Sequence, residues 1–432
     1  MRMSMILLRN GRIIDPVNNI DRQGDLIISE GSIHEIGEPG TLQLPDPAGA
    51  TFDLSGKWVV PGLIDMHVHL REPGEEYKET VASGTKAAVA GGFTAIACMP
   101  NTSPVNDSEA VTSLILKKAE QTKMARVYPV GAVSKNSQGT ELAEYGEMKQ
   151  AGIVALSDDG RPVANSQLMR RALEYSSSHN LLLISHSEEM SLSENGAMNE
   201  GALSTRLGLR GIPHIAEEIM VYRDIALADY LELPIHIAHI STKETVDLIR
   251  RAKKNGSLVT SETTPHYFSL TEKAIDQYDT RAKMNPPLRT TEDMEAIREG
   301  LRDGTIDAIA TDHAPHSNME KDLEFQLAAN GIIGLETSVP LTMNLVRENI
   351  LTPAQMITLM SVRPAHILGV KGGSLAEKVT ADVTVIDPEK EFVYSTASIV
   401  SKSSNSPFLD WKMQGKAVLT IVGGDIVFNE LD

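Results

Sequence analysis

The middle of this chain repeats one unit, a short apolar strand followed by a helical stretch. Strands read at 63–69, 94–99, 127–133, 153–157, 181–186, 235–239, 258–262 and 308–312. Helical patterns fall between them, among them 79–90, 108–121, 166–178, 215–231, 243–255 and 291–300. Apolar strands alternating with helices are the mark of parallel βα units. Eight such units predict an α/β fold, a closed (β/α)8 TIM barrel. The competing solution, a doubly wound open sheet, usually carries a Gly-rich phosphate loop after its first strand. The chain has none.

Both ends read differently. Leu7-Leu8, the turn Asn10-Gly11, Arg12-Ile13-Ile14 and Asp25-Leu26-Ile27-Ile28 are short strands and turns. So are Val383-Thr384-Val385-Ile386, Val418-Leu419-Thr420-Ile421 and the turn at Gly423-Gly424. Separate flaps would leave strand edges bare. The two ends are therefore expected to meet in one small β-sandwich domain. The division is residues 1–60 and 369–432 for the small domain and 61–368 for the barrel.

Chemistry in such a barrel gathers at the C-terminal ends of its strands. His67 and His69 close the first strand, and the i, i+2 spacing puts both imidazoles on one face. Asp158-Asp159-Gly160 closes the fourth strand, His186 the fifth, His239 the sixth and Asp312 the eighth. Any one of these has an ordinary explanation, such as an Asp capping a turn. Four histidines and two carboxylates at one rim point to a metal centre, with zinc the fitting ion. His67, His69 and Asp312 would hold one ion and His186 and His239 a second, bridged by one of the strand-four aspartates. Two ions ~3.5–4 Å apart polarise a carbonyl and activate the water between them. Asp312 would then be general base toward that water and general acid toward the leaving nitrogen. His236, of opposite strand parity to His239, is expected to face the helices.

Composition narrows the partners. The formal net charge is −18 and aromatic residues are only 4%, which argues against nucleic acid and anionic membrane. No apolar run approaches the ~20 residues of a membrane span. The stretch Met1 to Arg9 lacks a signal-peptide core, so a cytoplasmic protein is expected. The single cysteine, Cys98, rules out an intrachain disulfide and a CxxC motif. It reads as a small buried apolar residue. GxSxG, Walker A and GxGxxG motifs are absent.

Pro61-Gly62-Leu63-Ile64-Asp65-Met66-His67-Val68-His69 resembles the metal signature of the cyclic amidohydrolases. Leu70-Arg71-Glu72-Pro73-Gly74, Met99-Pro100-Asn101-Thr102, Lys283-Met284-Asn285-Pro286-Pro287-Leu288-Arg289 and Ala310-Thr311-Asp312-His313-Ala314-Pro315-His316 narrow the resemblance to dihydroorotases. Ser157-Asp158-Asp159-Gly160 is similar to the long bacterial type, class I, which has aspartate where other amidohydrolases carry a carbamylated lysine. The resemblance implies reversible interconversion of N-carbamoyl-L-aspartate and L-dihydroorotate in pyrimidine synthesis. It implies zinc, two ions per chain or one, on His67, His69, Asp159, His186, His239 and Asp312, with Asp159 as the bridge and Asp158 structural. It also implies substrate contacts from His69, Arg71, Asn101, Asn285, His316 and the backbone at Asn330 and Gly331, with Arg71 and Asn101 clamping a carboxylate. Where the family reads Pro-Phe-Gly or similar, this chain has Ala329-Asn330-Gly331.

A homodimer is expected, and a complex with aspartate transcarbamoylase is a further partner the family allows. Two other functions compete. A hydantoinase or allantoinase would usually carry a lysine at the end of the fourth strand. A non-catalytic subunit scaffolding aspartate transcarbamoylase would lose ligands that this chain keeps. Metal count and any need for a partner to order the loop around His316 are left open by the sequence.

Overall fold

The computed structural model describes residues 5–44 and 49–431. The reading of the N-terminus as leaderless rests partly on residues 1–4, which lie outside them.

Eight parallel strands follow one another in chain order: Leu63–Val68, Phe93–Cys98, Arg126–Gly131, Ala155–Leu156, Leu182–Ser185, Ile235–Ile237, Val259–Thr263 and Ala308–Ile309. The ring closes where Val68 bridges His313 in parallel and the His69 N–H donates to the His313 carbonyl at 2.8 Å. The closed (β/α)8 barrel expected from the repeat is therefore what the chain forms.

Helices Val81–Ala90, Glu109–Thr122, Ser166–Ser178, Ile215–Leu231, Lys243–Lys254 and Thr291–Asp303 lie at the predicted places. Their starts are written in the sequence. Thr80 and Thr290 form capping boxes with Ser83 and Asp293, and Asn165 and Thr242 accept N-terminal amides. Each such cap is worth about 1 kcal/mol. Helix Lys243–Lys254 buries Thr245, Val246, Ile249 and Ala252, the i, i+3, i+4 stripe that docks on the strands.

The barrel interior is filled by mostly small side chains, Ala97, Ala155, Ala238, Ala308 and Ala310, with Met66, Met99, Val130 and Ile184. This plug fills the barrel's axis, and the polar residues at the strand ends lie beyond it. Cys98 is buried on the helix side of its strand, in the main core.

The two chain ends meet as expected. Strand Val383–Val393 pairs antiparallel with Trp58–Pro61, and Trp58–Pro61 pairs parallel with Met5–Asp15. Eight strands form one mixed sheet with Asp425–Asn429 at one end and Ser32–Gly37 at the other. The sheet folds over its own core, in which Ile28 and Ile33 join Val385 and Ile421. The hairpin turns from opposite ends of the sheet touch, since a Cβ on Gly424 would lie 2.5 Å from Gly31 Cα. Thr384 and Thr420 donate hydroxyls to the carbonyls of Gly92 (2.6 Å) and Val89 (2.8 Å), fastening the sheet to the first βα unit. Among the described residues, no helix is long and apolar enough to cross a membrane.

Candidate metal centre

His67 and His69 reach the barrel axis through a bulge. Strand Leu63–Val68 gains one residue on its neighbour between Asp65 and Val68. The Asp65 carboxylate fills the gap, accepting the His67 N–H (3.1 Å), the Thr311 N–H (3.1 Å) and the Thr311 hydroxyl (2.5 Å). It thereby ties the first strand to the eighth at the closure seam.

Each ring nitrogen then has a distinct role. His67 Nδ1–H donates to Glu262 Oε1 at 2.6 Å. That leaves Nε2 facing Asp159 Oδ1 at 3.3 Å and Asp312 Oδ1 at 3.7 Å. His69 Nδ1–H donates to Asn101 Oδ1 at 2.8 Å, and its Nε2 lies 3.0 Å from Asp312 Oδ1. His186 Nε2–H donates to Glu188 Oε2 at 3.1 Å, and its Nδ1 lies 2.9 Å from His239 Nε2. Asp159 sits among all four histidines. Its Oδ1 is 3.3 Å from His239 and 3.7 Å from His186, and its Oδ2 is 3.5 Å from His69. Asp158, by contrast, turns to the backbone N–H and hydroxyl of Ser134.

These residues suit a metal ion. His67, His69 and Asp312 offer donor atoms within 4.8 Å of one another, and so do His67, Asp159 and His239. His67 Nε2 and His239 Nδ1 are buried without a hydrogen-bond partner, a costly state for a ring nitrogen. For His67 the aim of the orphaned atom into a carboxylate-lined centre is what a ligand requires. Imidazole nitrogens mixed with carboxylate oxygens are the donor set of zinc.

The electrostatics agree with ionised carboxylates. Burial opposes charge on Asp312, but the His69 hydrogen bond and nearby His67 hold it down at about 2. Burial likewise opposes charge on Asp159, yet the surrounding histidines hold it well below the usual carboxylate range. Burial opposes charge on Glu262 too, and His67 and His236 bring it to about 2.

Arg71 takes a left-handed backbone (φ 60°) beside the centre. Its Nε donates to the Pro315 carbonyl at 3.2 Å and its Nη2 to His316 Nε2 at 3.3 Å. Burial and the neighbouring cations Arg71, Lys78 and Lys321 push His316 down to about 3, so it is neutral and can accept. Asn285 donates to Glu188 at 3.0 Å. Gly331, at φ 122°, lies against His316, whose Cδ2 would be 3.5 Å from a Cβ there. Asn330 is exposed. The structure thus gathers the six candidate ligands at one point with Arg71, Asn101, His316, Asn285 and Gly331 around it, while Asn330 faces outward.

One expectation is corrected. His236 does not face the helices; it lies fully buried, with Nε2 3.4 Å from Glu262 Oε2 and Nδ1 2.8 Å from Thr260 Oγ1. Strand Ile235–Ile237 ends before His239, which takes φ 34°. Alternation is lost there, so both histidines turn inward. Three residues absent from the sequence-based set also matter: Asp65, Glu188 and Glu262. Glu262 was findable, because it stands at the end of the seventh strand by the same rule that picks out His186 and Asp312. His266 is held by the Thr264 hydroxyl (2.7 Å), and His313 lies between Glu79 (3.3 Å) and the Gly334 N–H (3.1 Å).

Comparison with known proteins gives this geometry its family. Residues 56–245 match the Dihydro-orotase-like family. The chain is 58% identical over 421 residues to the dihydroorotase of Desulfotalea psychrophila, covering 98% of this chain and 99% of that one. It is 56% identical over 423 residues to the dihydroorotase of Geotalea daltonii, with the same coverage of 98% and 99%. Among solved structures, the L-hydantoinase of Arthrobacter aurescens superposes with a TM-score of 0.87 at 22% identity, over 100% of this chain and 97% of that one. The dihydropyrimidinase of Brevibacillus agri does so at 0.85 and 22%, over 98% and 95%. At that identity the structures speak for the fold alone. The sequence relatives, matched over nearly their whole length, make this chain a member of the dihydroorotase family, an enzyme that hydrolyses a cyclic amide.

Proposed function

We propose that the chain is a zinc-dependent dihydroorotase interconverting N-carbamoyl-L-aspartate and L-dihydroorotate in both directions. The observation that carries this reading is Asp159 lying among His67, His69, His186 and His239 with Asp312 alongside. His67, His69 and Asp312 would hold one ion and His186 and His239 the other, with Asp159 between them. Bound there, zinc would polarise the ring carbonyl and lower the pKa of the attacking water to about 7.

The chain's own groups do the rest. Asp312, ionised and beside His69, takes a proton from the water that attacks the ring carbonyl. As the carbon–nitrogen bond breaks, the same carboxyl returns that proton to the ring nitrogen. Arg71 supplies a planar fork for the substrate carboxylate. Asn101 fixes His69 with its carbonyl, leaving its amide N–H groups for the same carboxylate. Glu262 and Glu188 set the ring orientations of His67 and His186.

The test is zinc content per chain together with dihydroorotate turnover on the purified protein, with no other protein added. Two ions and turnover in both directions are expected. Metal-loaded, folded protein that fails to interconvert the two compounds refutes the reading.

A further inference from the structure

The segment from Pro315 to Gly331 carries His316 and Gly331 to the rim of the centre, and its regular structure is one short helix, Asn318–Lys321. Short turns hold the stretch within itself, such as Leu327 and Ala328 N–H to the Glu324 carbonyl (2.8 and 3.0 Å), and Asn405 ties its two ends, accepting the His316 N–H (3.0 Å) and donating to the Ala314 and Gly331 carbonyls (3.0 Å each). Ala329 N–H donates to the Glu320 carbonyl (3.0 Å) and Gly331 N–H to the Lys283 carbonyl (2.9 Å). Two buried lysines, Lys321 within the segment and Lys283 beside it, are unusual. Lys283 and Lys321 are 4% and 5% exposed. Among the described residues, neither forms a salt bridge with a carboxylate.

Both ammonium groups are satisfied by main-chain carbonyls instead. Lys321 Nζ donates to the carbonyls of Lys283 (3.2 Å), Ala329 (2.7 Å) and Gly331 (3.1 Å). Lys283 Nζ donates to those of Gln326 (2.9 Å) and Ala328 (2.7 Å) and lies 5.6 Å over the Phe325 ring. An ammonium has three donors, and Lys321 spends all three. The acceptors of Lys321 come from two places in the chain, the strip that leads to Asn285 and the end of the rim segment. The Lys321 carbonyl is fixed in turn by the Thr280 hydroxyl at 2.6 Å. Burying a cation is costly unless it is fully bonded. Here the bonding is complete only while the segment keeps this shape, so the two lysines and the shape of the segment stand or fall together.

We infer that Lys321 and Lys283 are positioning residues that hold the substrate-binding rim, with His316 and Gly331, closed from within the chain before substrate or any partner arrives. The inference rests on the assignment of His316 and Gly331 to substrate binding above. Lys321 bonds to none of the six candidate ligands, and it reaches the rim through the Gly331 carbonyl. It acts by joining the Gly331 strip to the Asn285 strip.

Two measurements test it. Hydrogen–deuterium exchange on the unaltered, zinc-loaded protein without substrate is expected to find the amides of Ala329 and Gly331 slow to exchange. Fast exchange across the whole segment overturns the claim that it is closed beforehand. In steady-state kinetics, Lys321→Met is expected to raise KM about tenfold or more while kcat changes less than about threefold. Zinc content is expected to be unchanged, and Lys321→Arg to recover part of the KM. A folded Lys321→Met protein with unchanged KM and unchanged exchange at 329–331 overturns the inference. If that variant does not fold, Lys283→Met, which frees only the Gln326 and Ala328 carbonyls, is read by the same criteria. Absence of turnover in the unaltered protein would count against the proposed reaction, whereas the exchange result stands independently of it.

Discussion

Replacing Glu262 by alanine removes the one partner of His67 Nδ1, a carboxylate 2.6 Å away at a site with no solvent exposure. The ring N–H then loses its hydrogen-bond acceptor at a buried site. Such a group costs about 1–3 kcal/mol. Partners of metal-bound histidines typically change metal affinity by about 10–100-fold, which is about 1.4–2.8 kcal/mol at tenfold per 1.4 kcal/mol. The two estimates agree, and they predict that Glu262→Ala weakens zinc binding at the His67 position by that factor. Glu262→Gln keeps an acceptor of the same shape but loses the charge, and is expected to fall between. The assay is competition for zinc against a chelator of known affinity, with circular dichroism to show that the fold is kept. A folded Glu262→Ala protein that binds zinc within about twofold of the unaltered chain would show that Glu262 does not orient the ligand.

Four shorter predictions follow from the same geometry. Asp312→Asn is expected to lower turnover by about 10²–10⁴-fold while zinc bound on the His186 and His239 side is retained; undiminished activity removes Asp312 as the proton carrier. Arg71→Lys is expected to raise KM because the planar fork and the Nε bond to Pro315 are lost; an unchanged KM rules out the carboxylate clamp. Dialysis against a chelator is expected to abolish turnover and added zinc to restore it; full activity in verified metal-free protein contradicts the metal assignment. Burial pushes the Cys98 thiol up to about 12, so the reactive thiolate is scarce at pH 8. A thiol reagent is expected to titrate one group after denaturation and none before, and rapid reaction of the native protein contradicts the placement of Cys98 in the core.

The barrel was legible because most parallel strands buried on both faces read as short apolar runs, and such runs recur through this chain with helices between; the seventh, Val259–Thr263, is mostly polar. The candidate ligands could be picked out because function collects at one end of such strands. Strict alternation failed at that same end. The bulge before Val68 and the left-handed backbone at His239 re-aim side chains one residue at a time, so His236 turned out to point inward. Glu262 lies 195 residues from the histidine it holds, and nothing in local spacing joins the two. The lysine braces were illegible for a different reason. Their acceptors are main-chain carbonyls, which every residue carries, so the partner leaves no letter in the sequence.

The sheet that joins the two chain ends has a consequence for how the protein is made. Pro61 pairs with Val383, 322 residues later (383 − 61). At a synthesis rate of ~5–20 residues per second, the early strands wait roughly 15–60 s for their partners. During that interval the edge of Trp58–Pro61 and the apolar face of Ile6, Leu8, Ile13 and Val59 stand uncovered on the nascent chain. The barrel can assemble meanwhile, but the small sheet closes only after the last strands leave the ribosome, so the early strands are where a holding chaperone would engage this chain.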